Sequence, residues 1–266
     1  MKLDFKNKEF KETSWAFLTK GTSLILFLLL NIILARKLGV ENFGLFSLFL
    51  SVMTLFLVFS YFGINGSTKK FLAQYNKTDF LKDVLRDSIK LRFLISSIFT
   101  ILFIIIYKPL VILLSKPELE LLFLYGIPLI FLSGFVEFFK CCFQGLHRIK
   151  YNFFINVSEY GLKLFLIILF FLFSNSVINV ISSFVIYLII TSLLGFYLLY
   201  FNFYKNLKFK NKNFKNQIIR YSYILIWIII GFIALTEMDT IMIGIFSTTI
   251  EVGIYAIAKQ IILKLP

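Results

Sequence analysis

The chain has 266 residues, of which 59% are hydrophobic and 16% are charged, and its mean hydropathy is +0.88. A soluble domain has about 25% charged residues, so this composition excludes an ordinary globular protein and indicates a polytopic membrane protein. The formal net charge is +14. In a soluble protein such a charge would suggest nucleic-acid binding. Here we attribute it to cytoplasmic loops that contact anionic membrane lipids, and we expect no nucleic acid as a partner.

Apolar blocks predict an all-α transmembrane helical bundle, because about 20 helical residues cross the hydrocarbon core of a bilayer. The predicted helices are 14–35, 43–64, 92–114, 119–140, 152–173, 177–201 and 218–246, with an eighth that starts near 251. The predicted organisation is a basic N-terminal arm (1–13), a first six-helix lobe (14–201), a basic linker (202–217) and the start of a second lobe (218–266).

The distribution of basic residues predicts the orientation. Of the 28 Lys and Arg residues, 20 fall in four alternate regions, namely the N-terminal arm, 65–92, 140–150 and 202–220. By the positive-inside rule these regions and the N-terminus are cytoplasmic, in a multi-pass protein of the cell membrane. Within them, apolar residues of the 67–93 segment recur at helical spacing, which predicts a helix lying along the inner interface.

An internal repeat links the two ends of the chain. "ENFGLFSLFLSV" (41–52) follows the first predicted span and "IEVGIYAIAKQI" (250–261) follows the seventh, and a shift of 209 positions superimposes Gly44 on Gly253. Six intervening spans, an even number, predict a parallel repeat, as in transporters with two similar six-helix halves. On this interpretation the sequence stops two helices into its second half, and we expect it to be a fragment or a truncated product.

Four segments carry a resemblance to a known family. They are "LARKLGVENFGLFSL" (34–48), "STKKFLAQY" (67–75), "FQGLHRIKYNF" (143–153) and "MDTIMIGIFSTTIEVGIYAIAK" (238–259). In this order the chain resembles the polysaccharide (O-antigen type) flippases of the multidrug/oligosaccharidyl-lipid/polysaccharide exporter superfamily. Asp239 matches the aspartate of the family's seventh helix. The chain departs from the family at His147, where glycine is frequent, and in length, because members carry twelve or more helices in two lobes.

The resemblance implies alternating access of a lipid-linked oligosaccharide between two lobes, through a cavity that tends to be cationic. Independently of it, charged residues inside spans are functional candidates, because each costs roughly 2.5–3.5 kcal/mol near the bilayer centre. The candidates for the transport path are Lys20, Glu159, Lys163, Glu237, Asp239 and Lys259.

Two pairings are predicted among these candidates. Glu159 and Lys163 are four residues apart on one helix and can form a local ion pair. Lys259 lies at the depth of the helix-7 acids and can bridge helices 7 and 8. Both pairs can be purely structural. Alternatively, Lys163 and Lys20 attract a lipid phosphate, and a helix-7 acid takes part in coupling to H+ or Na+.

Catalysis is not predicted. Glu237 and Asp239 are two residues apart, about 200° around the helix, and so do not form a carboxylate dyad with a shared proton. The single histidine, His147, and the absence of a G-x-x-x-x-G-K-[ST] motif argue against a histidine metal site and ATP hydrolysis. We expect no enzyme activity, no cofactor and no metal.

The leading functional hypothesis is a flippase that moves lipid-linked oligosaccharide for surface polysaccharide or glycan biosynthesis. A cation-coupled multidrug exporter of the same superfamily is an alternative, although it would favour an acid-rich first lobe. A membrane-embedded glycan polymerase or transferase is a second alternative, although the predicted outer loops are short. The third is a non-functional truncated transporter fragment.

Overall fold

The computed structural model describes the backbone of residues 2–205 and 207–262 and the side chains of residues 13–205 and 207–260. Throughout these residues the regular structure is helical. The helices are α1 (Lys2–Tyr61), α2 (Ile64–Tyr75), α3 (Leu81–Leu114), α4 (Glu118–Gly145), α5 (Ile149–Phe171), α6 (Val177–Leu199) with a π-helical extension (Tyr200–Tyr204), α7 (Lys215–Phe246) and α8 (Thr249–Ile262). Within the described residues, six helices are long and apolar enough to cross a membrane, so the chain is a polytopic helical bundle.

Helix α1 contains a reversal at Gly39 and supplies two spans. Gly39 has φ 73° and ψ 170°, a conformation that glycine adopts at little cost. Phe27 and Ser51 line one cavity, whereas a straight helix would separate them by about 36 Å at 1.5 Å per residue. The two predicted helices 14–35 and 43–64 are thus the two legs of α1, and the helix continues through the predicted loop apart from Gly39.

The two ends of the bundle are identified by contacts between turns. At the bend end, next to Gly39, the Lys116 ammonium donates to the Ser247 carbonyl at 3.1 Å and joins the α3–α4 turn to the α7–α8 turn. At the basic end, the Asn76 amide after α2 donates to the Leu146 carbonyl after α4 at 3.3 Å. His147, in the same turn, has φ 52°, a left-handed conformation that glycine adopts more readily than histidine.

The 67–93 segment is helical as predicted, but it is divided between two helices, with a break at 76–80. Helix α2 follows a sharp turn at Phe62 and Gly63, which have φ 44° and 66°. It ends at Tyr75, and α3 begins at Leu81, eleven residues before the predicted start, and continues into the span. The polar residues in the first turns of α3 are covered by protein.

That cover is the linker segment 207–214, which has no regular structure and packs against α3. The Asp83 carboxylate accepts hydrogen bonds from the backbone N–H groups of Lys210 and Lys212 at 3.1 and 3.3 Å. The Asp87 carboxylate accepts one from the N–H of Phe214 at 2.8 Å. Both aspartates are buried, so the linker is held in place.

Aromatic rings fill the centre of the first six spans. Phe103 of α3 meets Phe123 of α4 edge to face at 5.6 Å between ring centroids, and Phe46 of α1 meets Phe184 of α6 in the same way. Such pairs add stability beyond the area that they bury. Large apolar side chains such as Ile105 and Trp227 are exposed on the outside of the bundle, as a lipid-facing surface requires.

Candidate functional site

A cavity of about 370 Å³ lies between the two legs of α1 and the pair α7 and α8. Its volume is at the low end of the range for small-molecule sites. The first leg of α1 contributes Phe27 and its second leg Ser47, Leu50, Ser51 and Thr54; α7 contributes Phe232, Thr236, Glu237 and Thr240; α8 contributes Ala256, Lys259 and Gln260. Hydroxyl, amide and charged groups thus converge on a space inside an apolar bundle.

The Lys259 ammonium is the centre of the polar contacts in this cavity. It lies 3.3 Å from Glu237 Oε2 and 3.2 Å from Asp239 Oδ1, and it donates to Thr240 Oγ1 at 2.7 Å. The predicted bridge between helices 7 and 8 is therefore present. Although the two acids point to different sides of α7, the long lysine side chain reaches a point between them.

Two hydroxyl groups complete the coordination of the acids. Ser51 of α1 donates to Glu237 Oε2 at 2.8 Å, which connects the first six spans to α7. Tyr255 of α8 donates a short hydrogen bond to Asp239 Oδ2. Glu237 is thus held by both Ser51 of α1 and Lys259 of α8, whereas the contacts of Asp239 lie within the α7–α8 pair.

The charges of this cavity cluster, defined as Glu237, Asp239 and Lys259, sum to −1 when all three are ionised. The Lys259 side chain is 12% exposed and that of Glu237 is 22% exposed. Removing the cation from such a partly buried pair leaves carboxylates without compensation, which is strongly destabilising. The cluster is therefore sensitive to anything that adds a positive charge near the acids or withdraws Lys259.

A second charged cluster lies wholly within the first six spans. The Lys140 ammonium is 2.5 Å from Glu159 Oε2 and 3.4 Å from Glu137 Oε2. The predicted ion pair between Glu159 and Lys163 is wrong, because Glu159 points towards α4 and pairs there with Lys140. Lys163 on the same helix and Lys140 on α4 are both candidates to pair with Glu159. Tertiary packing decides between them, and residue spacing along one helix does not contain that information.

Lys163 instead packs on aromatic rings of α6. Its ammonium lies 3.9 Å from the ring centroid of Phe184 and 5.4 Å from that of Tyr187, an arrangement in which the ring faces attract the cation. Lys20 is exposed on the first leg of α1. The six predicted candidates therefore fall into a first-half group, a cavity group and the separate Lys20, rather than one continuous path.

Sequence reasoning missed several members of these sites, among them Ser51, Thr240, Tyr255, Glu137 and Lys140. Ser51 and Tyr255 are ordinary residues of apolar helices, and no local pattern marks them. Lys140 was assigned to a basic loop, although its spacing of three from Glu137 is a helical ion-pair signal. Among the described side chains, no group of three or more His, Cys, Asp or Glu is arranged to hold a metal ion.

Comparisons with known proteins extend these observations. The profile of one family, described as "Polysaccharide biosynthesis protein", matches residues 10–266. A search of curated proteins gave no significant match. A solved structure described as "protein A" has a TM-score of 0.73 and 14% sequence identity, and the match covers 95% of this chain and 60% of that one. At this identity the similarity establishes the fold alone, and the chain spans 60% of the length of the solved protein.

Proposed function

Because the chain belongs to the polysaccharide biosynthesis protein family, we propose that it serves a membrane transport step of polysaccharide synthesis and has no catalytic activity of its own. The proposed cargo is a lipid-linked oligosaccharide, which crosses the cell membrane by alternating access. The basic end and the N-terminus face the cytoplasm in this proposal, where their positive charge contacts anionic lipids. The bend end faces outward.

The observation that carries the proposal is the polar cavity between the first six spans and the α7–α8 pair. Both walls contribute hydroxyl or charged groups, and Ser51 and Glu237 are hydrogen bonded across it. A volume of about 370 Å³ is small for an oligosaccharide headgroup, so we expect that the walls separate when cargo enters. Residues 14–201 and 218–266 are then the two bodies that move, with 202–217 as their linker.

The cavity cluster supplies a means of coupling that movement to an ion. Lys259 neutralises Glu237 and Asp239 in the observed conformation. A proton or Na+ taken up by either acid would compete with Lys259 and weaken the contacts that join α7, α8 and the Ser51 leg. Lys163 and Lys20 are candidates for contacts with the lipid phosphate, with Glu159 held away from Lys163 by its pair with Lys140.

The direct test is deletion of the gene in its host, followed by complementation with the gene and with an Asp239→Asn variant. We expect deletion to trap lipid-linked oligosaccharide on the cytoplasmic face and to abolish surface polysaccharide. Asp239→Asn should lower surface polysaccharide about tenfold to a hundredfold, since it weakens charge-assisted hydrogen bonds worth about 1.5–3 kcal/mol. Glu251→Gln, at an exposed acid of α8, is the matched control and should complement fully.

Unchanged surface polysaccharide and unchanged lipid-linked pools after deletion would overturn the proposal. The charge of −1 in the cavity cluster favours one other candidate, a cation-coupled multidrug exporter. That function predicts increased sensitivity of the deletion strain to lipophilic cations, with polysaccharide unaffected. The two assays on the same strain therefore separate the two functions.

A further inference from the structure

The glycines that the internal repeat aligns lie against each other in the structure. A Cβ atom placed on Gly44 of α1 would lie 2.8 Å from the backbone nitrogen of Gly253 and 1.8 Å from the carbonyl oxygen of Thr249. A Cβ atom placed on Gly253 of α8 would lie 2.3 Å from the carbonyl oxygen of Val40 and 3.2 Å from the nitrogen of Gly44. Neither position has room for any side chain.

These contacts are reciprocal. The shift of 209 positions that maps Gly44 onto Gly253 also maps Val40 onto Thr249. Gly44 therefore contacts Thr249, which is the repeat equivalent of Val40, and Gly253 contacts Val40 itself. A reciprocal pattern of this kind is the mark of a two-fold axis, and equivalent positions touch each other only where they lie next to that axis.

The direction of the axis follows from the number of spans. Six spans separate the two glycines, so both helices enter the bilayer from the same side, and the axis of a parallel repeat runs along the membrane normal. Small residues at such a crossing allow the two backbones to approach closely. Other glycines, such as Gly63 against the Ser222 carbonyl, also approach neighbouring backbone closely, but Gly44 and Gly253 are the pair that the repeat aligns, whereas Gly21 and Gly231 have no atom within 4 Å of a Cβ placed on them.

The glycine pair lies between the cavity and the bend end. Ser47 is one turn from Gly44, Ala256 is one turn from Gly253, and both line the cavity. On the other side of the pair, Gly39 and the first residues of α8 form the bend end. Val252, adjacent to Gly253, is fully buried, and the two backbones are in contact at this level.

We propose that Gly44 and Gly253 form the closure between the two halves of the chain at the bend end, centred on their pseudo-two-fold axis. Separation of the two helices at this pair opens the cavity to the bend-end side, and renewed contact shuts it. The inference deepens the proposed function, since it identifies the contact that alternating access would break on that side.

The test uses Gly44→Ala and Gly253→Ala and measures the labelling rate of a cysteine reporter, Ser47→Cys. The protein is purified in detergent after Cys141 and Cys142 are replaced by alanine, and a charged maleimide is the probe. Ser47 is buried in the observed conformation, so labelling of the parent is slow. Each alanine forces the helices apart and should raise the labelling rate about tenfold or more.

Three controls make the result specific. Gly21→Ala and Gly231→Ala add the same methyl group where space is open and should leave labelling unchanged. A reporter at Ser67 lies at the basic end, where its hydroxyl is 2.7 Å from that of Ser222 in a buried contact. Labelling of Ser67→Cys should stay slow, because a generally loosened protein would expose both reporters.

The shared contact also predicts non-additivity. The double variant with alanine at both glycines should label at about the rate of either single variant, because one methyl group already blocks the approach. Equal labelling of Ser47→Cys in parent and variants, in protein that remains monodisperse, would overturn the inference. The assay requires no cargo, so it can succeed even if deletion of the gene shows that polysaccharide transport is not the function.

Discussion

The Lys140→Met variant gives the sharpest test of the first-half charged cluster. Lys140 lies between Glu159 and Glu137 on the inside of α4, and it is 9% exposed. Methionine has a similar shape but no charge, so the variant leaves two carboxylates facing each other without the cation. Breaking a buried pair in this way costs about 3–5 kcal/mol.

The exposure of the two carboxylates indicates that Lys140→Met lowers stability by an amount near the lower end of this range. Glu159 is 16% exposed, so water compensates little for the loss of its cation. Glu137 is 41% exposed, so water partly screens its charge when the cation is removed. We therefore expect a loss of about 3 kcal/mol in the free energy of unfolding. For a chain of this size that corresponds to a fall of about 6–12 °C in Tm.

The chain contains its own reporter for this experiment. Cys141 and Cys142 are free and buried beside Lys140, so a fluorogenic maleimide reacts with them when the protein unfolds in detergent. Lys140→Met combined with Glu159→Gln removes both charges and should recover stability to within about 1 kcal/mol of the parent. Lys210→Met, at a solvent-exposed pair with Asp79, is the control and should leave Tm unchanged.

Two results would refute the reasoning. Lys140→Met with the Tm of the parent would show that the pair is not desolvated. A double variant as unstable as Lys140→Met would show that the lysine stabilises the bundle by packing its methylene groups, not by compensating Glu159.

Asp87→Ala should release the linker from α3, and trypsin should cleave 207–214 about tenfold faster or more, since a hydrogen bond to a charged group contributes about 1.5–3 kcal/mol. Glu120→Ala removes an exposed carboxylate of α4 at the bend end, away from the linker, and should not change the rate; equal rates for both variants would contradict the docking of the linker. Phe184→Leu should lower the free energy of unfolding more in the parent than in the Lys163→Met variant. The expected difference is about 0.5–2 kcal/mol, the contribution of a cation–π contact. A coupling of zero in this double-mutant cycle, measured by Tm, would mean that the ring does not stabilise the ammonium.

The approximate positions of the membrane-spanning helices were predictable from the sequence, because the length of an apolar block is a local property of the sequence. The helix at 119–140 corresponds to α4 and that at 218–246 to α7. The start of α3 was missed because Asp83 and Asp87 look like solvated interfacial residues. Their burial depends on the backbone of a linker more than 120 residues later.

In the candidate site, too, some contacts were predictable from the sequence and others depend on how distant helices pack. Lys259 and the helix-7 acids were paired correctly, because depth follows from residue number in antiparallel neighbouring helices. Glu159 was paired incorrectly, because its choice between Lys163 and Lys140 depends on how α4 and α5 pack. Ser51 joins the site through a contact between distant helices, which a single sequence does not encode.

The docked linker has a consequence for folding during synthesis. The carboxylates of Asp83 and Asp87 are buried, and in the part of the chain that the structure describes they contact Arg86 and backbone N–H groups of residues 210–214. While the ribosome is still adding α6, these acids have no such donors and must remain hydrated. We therefore expect the start of α3 to reach its final position only after the segment that precedes α7 has emerged. Nascent chains arrested before residue 207 should show a more accessible α3 start than those arrested beyond residue 220.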